Sequence, residues 1–592
     1  MPREVCVAVA KLLAGFVSAD NSVRNEAEKH FEGLKKLQPQ DVLLSLVHLL
    51  AHSASYEYLL DENMGREAMS SLSAVLIRGI TVRERALWAT LTTSDVAECR
   101  TQMLQSLLTE TVPHVRRKIA NAVASHAKLS PWPELLAVVQ QLAEAGVPEK
   151  SRQLSMFLLD QLAEHIGDYL IGHMQTLWSV IAPVLAGESG EALVSAAAAA
   201  CSLCSLLTET HATAQWASGG STSSSSSSSH DTSVCLWGSG LARSAELARV
   251  LACGGQFEDS AQELLISLLR LAEAHALAFS TCFDVVAQSL LALATSVDAR
   301  DNMRSLALQT ITELLTNESS RALASQSMRH NALNAAMNAC TNIDASEEGT
   351  AEFLAEAESS CSRGGGSFGE SGDDGSNELS AAAGTCLSTM CHSFDPTEVV
   401  QTCLHSVWQF LFDKNNWCAR RAALLVISII CEGARDELEP LLAELVPAIL
   451  TSCADGHPRV RHAALQCVVE FIRQFRRVVE DEDEEEEEWG DDDEGEEQGD
   501  KSGEEKKSKA ASFQQQFYAT VPPALCAALQ ANQNIPRVAY MAVHALLLFF
   551  DPDYCESALC DITLLQGLLM HCLQVVRTVV GVSVDRGAAS IQ

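Results

Sequence analysis

The sequence predicts an all-α chain: a superhelix of antiparallel helix hairpins stacked as a solenoid. Three observations point there. Apolar residues recur every three or four positions along most of the 592 residues, the apolar share is 47% and dominated by Ala and Leu with only 5% aromatics, and one helix-turn-helix pattern repeats at a fixed interval. Spacing of three and four marks one face of a helix, and Ala and Leu favour helix over strand. Repetition at about forty residues is how a stack of small units reads in sequence.

The first stretch, "MPREVCVAVAKLLAGFVSAD", is interrupted by Glu4 and Lys11, while Val5, Val9, Leu12, Leu13 and Phe16 keep helical spacing. It reads as a first amphipathic helix rather than a secretory leader. "NSVRNEA" with Arg24, "PHVRRKIA" with Arg116, "KSRQLSM" with Arg152 and "NMRSLAL" with Arg304 follow as loose copies of one unit. The clearest copies are "WCARRAAL" (417–424) and "PRVRHAAL" (458–465), which lie 41 residues apart and place Arg420 over Arg461 and Ala422, Ala423 over Ala463, Ala464. A later copy, "IPRVAYMAV", keeps Pro536 and Val538 but has Ala539 in the arginine slot.

Between the two clear copies lies "DELEPLLAELVPAILTSCAD", whose apolar spacing predicts one amphipathic helix ending near Cys453. Asp455 and Gly456 suit the turn, and Pro458 suits the first helical position, where its missing N–H costs nothing. A hairpin of forty residues cannot repay its own ordering entropy, so each must cover its neighbour's apolar face. The small Ala pair after the arginine lets second helices pack closely. Arg24, Arg116, Arg152, Arg304, Arg420, Arg459 and Arg461, together with Asp455, are therefore the candidate repeat-ladder residues. In that reading the arginine reaches an acid of the adjacent unit and holds the stack; direct contact with a partner is the alternative.

Three segments interrupt the pattern: a Ser tract (218–230), a Gly/Ser/acid stretch (359–378) and a charge block (480–509). The distance from Pro458 to Pro536 is 78 residues, 37 beyond the 41-residue interval, so the charge block reads as an insertion between hairpins. It has 15 acids from Glu480 to Glu497 and cannot form a core alone. Glu480, Asp481, Glu484, Glu488, Asp491 and Asp493 are its candidate residues for attracting a basic partner, a solvated loop being the plainer reading. The predicted organisation is repeats over 1–216, a Ser-rich loop 217–240, repeats 241–344, a linker 345–380, repeats 381–478, an acidic insertion 479–511, repeats 512–577 and a tail 578–592.

Net charge is −36 at pH 7, which argues against direct nucleic-acid binding and for basic protein partners. The 20 cysteines fall within apolar runs, as reduced buried thiols do, and no apolar run suggests membrane insertion. "CSLC" (201–204) has no second pair at zinc spacing, and no phosphate-binding glycine loop or nucleophile-base arrangement occurs. No catalytic residue, cofactor or metal is expected, so the chain reads as a non-enzyme.

"PRVRHAALQCVVEFIRQF" after "LEPLLAELVPAILTSCAD", preceded by "NNWCARRAALLVISIICEGARDELEP", resembles the central HEAT repeats of the importin-β (karyopherin-β) family, above all its importin-5 (karyopherin-β3) branch. "NSVRNEAEKHFEGL", "SAVLIRGI", "VRRKIANAVASHAKL" and "FQQQFYATVPPAL" fall in the expected order, so the resemblance spans roughly residues 20 to 570 and corresponds to the N-terminal half of a family member. The resemblance implies a HEAT-repeat α-solenoid and a nuclear import receptor found in cytoplasm, nucleus and nuclear pore. It implies Ran-GTP on the N-terminal repeats, basic cargo such as ribosomal proteins and histones on an acidic face, and FG nucleoporins on the other. The charge block is foreign to the family pattern at that position. A HEAT scaffold for a multiprotein assembly, such as a phosphatase complex, is the competing expectation.

Overall fold

The computed structural model describes residues 3–59, 65–144, 146–187, 190–217, 227–254, 258–355, 378–476 and 520–549. Among them the regular elements are α-helices with short 3₁₀ turns, and no β-strand occurs. The chain divides into two compact units, Met1–Val286 and Ala287–Gln592.

Unit one begins with the paired helices Arg3–Phe16 and Asn21–Leu37. Four hairpins with a common logic follow: Pro39–His52 with Arg66–Arg83, Thr93–Thr109 with Pro113–Ala127, Glu134–Ala143 with Glu149–Ile171, and Met174–Gly187 with Glu191–Ala217. A fifth pairs Ser227–Gly254 with Glu258–His275. The second helix of each hairpin packs on the second helix of the next, which gives the unit one continuous core.

Unit two repeats the scheme with second helices Asp301–Thr316, Glu378–Ser393, Trp417–Gly433, Pro458–Arg476 and Pro536–Phe549 packed in succession. Gln326–Ala339, Pro396–Leu411 and Leu442–Ser452 are the first helices of three of these hairpins, and a helix over 520–531 precedes the last. Ala422, Ala423, Ala463 and Ala464 are all buried, and their lack of bulk lets these second helices approach. Cys386, Cys391, Cys431 and Cys467 fill the same layers as small apolar groups.

Helix starts follow the sequence. Asp20 accepts the Ser22 N–H at 2.8 Å, Asp395 that of Glu398 at 3.1 Å and Asn416 that of Ala419 at 3.2 Å. Thr92 and Asp95 form a reciprocal capping box. Pro39, Pro113, Pro396, Pro458 and Pro536 each open a helix.

Three expectations need correction. The predicted loop 217–240 contains the beginning of the helix Ser227–Gly254, where Trp237 is buried against Trp178 with ring centroids 4.7 Å apart. That aromatic pair supplies a packing site that serine composition hid. The predicted linker 345–380 contains the helix Glu347–Ala355, anchored by buried Phe353, and the next helix starts at Glu378. The single helix expected before Cys453 is three pieces, Arg435–Leu438, a 3₁₀ turn Glu439–Leu441 and Leu442–Ser452. Pro440 lies in that turn, where its missing N–H interrupts the ladder. The acidic insertion beyond Arg476 and the tail 578–592 lie outside the described residues.

Candidate functional site: arginines at the helix starts

Arg24, Arg116, Arg152, Arg304, Arg420 and Arg461 share one structural address: each is the fourth residue of its helix. Side chains of a helix lean toward its N-terminus, so a long side chain at this position curls back over the preceding turn. There the last carbonyls of the previous helix lack helical partners. Arg24 donates to Ser18 O at 2.7 Å and to Asn21, Arg116 to Glu110 O at 2.7 Å through Nε, and Arg304 to Ala294 O at 3.2 Å. Arg420 donates to Asp413 O at 2.8 Å and Lys414 O at 3.0 Å, and Arg461 to Asp455 O at 2.7 Å and Gly456 O at 3.1 Å. A cation at a helix N-terminus opposes the helix dipole, so carbonyl capture is what rewards the placement. Each such charged hydrogen bond is worth about 1.5–3 kcal/mol.

The recurrent partner is therefore the turn of the arginine's own hairpin or the end of the helix before it, rather than an acid of the next unit. Arg420 does both. Its Nε lies 2.8 Å from Asp455 Oδ2 and its Nη2 3.0 Å from Oδ1, with the two side chains 16% and 14% exposed. This bidentate pair ties the start of Trp417–Gly433 to the turn ahead of Pro458–Arg476. Asp455 Oδ1 also accepts the His457 N–H at 2.8 Å. Burial pushes the Asp455 carboxyl up, but the Arg420 and His457 hydrogen bonds and the guanidinium charge outweigh it and hold it below the usual carboxylate range. His457 stacks on Trp417 with centroids 3.7 Å apart and planes 10° apart. Burial first, then the Arg459 charge, lowers its imidazole to about 4.

Arg459, grouped with the ladder in sequence, has a different setting: it is 2% exposed and bonds to the Asp344 and Gly349 carbonyls. Glu480, Asp481, Glu484, Glu488, Asp491 and Asp493 lie outside the described residues. Sequence reasoning missed Arg329, the fourth residue of Gln326–Ala339, which donates to Ala324 O at 2.8 Å and forks onto Glu398 at 3.0–3.2 Å. Its signal was the Ser325 cap four residues upstream, not the proline that marks other copies. Among the described residues no group of three His, Cys, Asp or Glu is placed to hold a metal ion. No helix there is long and apolar enough to cross a membrane.

This geometry is a set of clamps that brace the turn within each hairpin, and two of them, Arg420 on Asp455 and Arg329 on Glu398, also fix hairpin to hairpin. Comparison with known proteins agrees on the architecture. Residues 299–468 match the family model described as EF3 N-terminal HEAT repeat. The chain is 20% identical over 491 residues to importin subunit beta-3 of Saccharomyces cerevisiae, covering 81% of this chain and 40% of that protein. It is similar to Kap121p bound to RanGTP, with TM-score 0.70 and 19% identity, covering 97% of this chain and 47% of Kap121p. Kap121p bound to Nup53p gives TM-score 0.70, 19% identity and coverage of 98% and 48%. The chain thus spans less than half the length of these relatives.

Proposed function

We propose that this chain is an importin-β (karyopherin-β) family solenoid matching the N-terminal half of its relatives and acts as a nuclear transport receptor without catalytic activity of its own. The observation that carries the reading is the likeness over 97% of the chain to a karyopherin whose solved complexes hold RanGTP. In this reading the repeats of 1–216 bind Ran-GTP, and basic cargo, with ribosomal proteins and histones as the candidate class, occupies acidic surface of the later repeats. A charge of −36 supports that sign of cargo, because like-charged partners are repelled and opposite ones steered in. Nucleoporin contact is supported by the complex of Kap121p with Nup53p. The receptor would then pass between cytoplasm and nucleus through the pore. Ran-GTP and cargo oppose one another through a coupling free energy, as two ligands preferring different states of one protein must.

The arginine clamps serve this function by fixing the stack, and the acidic insertion 479–511 draws basic cargo within a Debye length of roughly 8 Å. A pull-down against Ran loaded with GTP or GDP tests the reading: selective retention of the GTP form is expected. Equal retention of both forms, or of neither, removes it and leaves a HEAT scaffold.

A further inference from the structure

The helix Glu347–Ala355 lies in sequence between Gln326–Ala339 and Glu378–Ser393, yet its packing partners are more than a hundred residues away within unit two. Arg459 Nη1 donates to Asp344 O at 3.1 Å and Nη2 to the Gly349 carbonyl. The Phe353 ring is 2% exposed and enclosed by cations: the Arg459 guanidinium is 5.3 Å from its centroid and that of Arg537 4.7 Å. The His462 ring meets it edge-on at 5.6 Å and 84°. Trp417 extends the pocket, 5.7 Å from Arg459. Arg459 and Arg537 are equivalent residues, each second in a helix opened by proline. Two consecutive hairpins thus present a pair of guanidinium groups to one aromatic side chain, within the distance at which cation–π attraction counts.

The segment that fills this pocket reads, from 344 to 353, "DASEEGTAEF": four acids and a terminal aromatic. A nine-residue helix is marginal by itself, so its docked form depends on the pocket. Leu354, next to the anchor, is 39% exposed, while the Phe353 ring and the Asp344 and Gly349 carbonyls are held by the pocket.

We propose that the pocket formed by Arg459, Arg537, His462 and Trp417 is a docking site for acidic peptide segments bearing an aromatic residue, occupied in cis by residues 344–355, which an incoming segment must displace. Because the cis occupant is tethered, its effective concentration is in the millimolar range, and a segment in trans competes poorly until the tethered one is weakened. Displacement changes the sign of the local surface. A strip buried under acidic chain becomes one displaying two guanidinium groups, in a protein that is otherwise strongly acidic. The inference is independent of the transport reading, and its test involves neither Ran nor cargo.

The probe is a labelled peptide of the chain's own sequence DASEEGTAEFLA, titrated into the full chain and into the Phe353→Ala variant. Binding to the variant at least tenfold tighter than to the unaltered chain is expected, with loss of that gain when Arg537→Glu is added or when the peptide's phenylalanine is replaced by alanine. In the unaltered chain, saturating peptide should raise amide hydrogen exchange across 344–355. This second measurement stands even if the variant loses helical signal. Equal affinity of the two folded proteins, equal binding of the phenylalanine-free peptide, or unchanged exchange at saturation would each overturn the proposal.

Discussion

At the scale of single residues, repetition revealed the arginine slot but not its partner. "WCARRAAL" over "PRVRHAAL" made Arg420 and Arg461 visible, and charge logic then pointed to an acid. The carbonyls they reach in the turns leave no mark in sequence, because every residue carries one. The Arg420–Asp455 pair invites a double-mutant cycle. Arg420→Ala should cost about 2–4 kcal/mol, since it strands a mostly buried carboxylate and frees two turn carbonyls. Asp455→Ala in that background should add much less than it does alone, read as local hydrogen-exchange protection around 413–420 and 455–461. Full additivity would show that the two side chains do not cooperate. His126 supplies a pH handle in unit one. It sits edge-on between Trp88 and Trp132, at 4.3 and 5.5 Å, with Arg100 over Trp132. Burial first, and then the Arg100 charge, lowers it to about 3. The unfolded chain takes up that proton near pH 6.5 and the folded chain does not, so stability is complete above that value and is lost as pH falls from about 6.5 toward 3. The melting temperature should drop between pH 7 and pH 4.5, and by less in His126→Phe. An identical drop in both proteins would assign the effect elsewhere. Nothing in "NAVASHAKL" announces the two tryptophans, because both come from other elements.

At the scale of elements, helices with a strong apolar stripe and a proline or Asx start were readable nearly to the residue, as with Pro458 and Trp417. Legibility failed where composition concealed a single anchoring aromatic. Trp237 turns the end of a serine-rich stretch into helix, and Phe353 does the same at the start of the predicted linker 345–380. Such anchors act through contacts distant in sequence, which periodicity cannot report. The acidic block poses the opposite case, because the repeat register closes across it: Pro458 and Pro536 open equivalent helices on either side. Deleting 480–509 should therefore leave helical content per remaining residue and the thermal transition unchanged. A loss of helical signal by circular dichroism would mean that the block supports the hairpins flanking it.

At the scale of the whole molecule, the stack of hairpins was legible because its logic is local: each unit states its two helices and its turn, and the next restates them. Division of the chain at Val286 was not legible, since "FDVVAQSLLALA" runs through that point as one amphipathic helix. A chain of this kind gains stability from neighbour to neighbour, so denaturant should unfold it in more than one step, with exchange protection differing between Met1–Val286 and Ala287–Gln592. A single sharp transition with uniform protection would contradict that. The cysteines make the test tractable. Cys201 lies in one second helix, Cys386 and Cys391 in another, and Cys431 and Cys467 in the two that follow, all free and buried. Burial keeps these sulfurs protonated at neutral pH, with Cys467 pushed up to about 12, and shields them from alkylating reagents. Each helix that opens surrenders its own sulfur, so timed alkylation followed by peptide mapping would print the order in which the stack comes apart, using reporters the chain already carries.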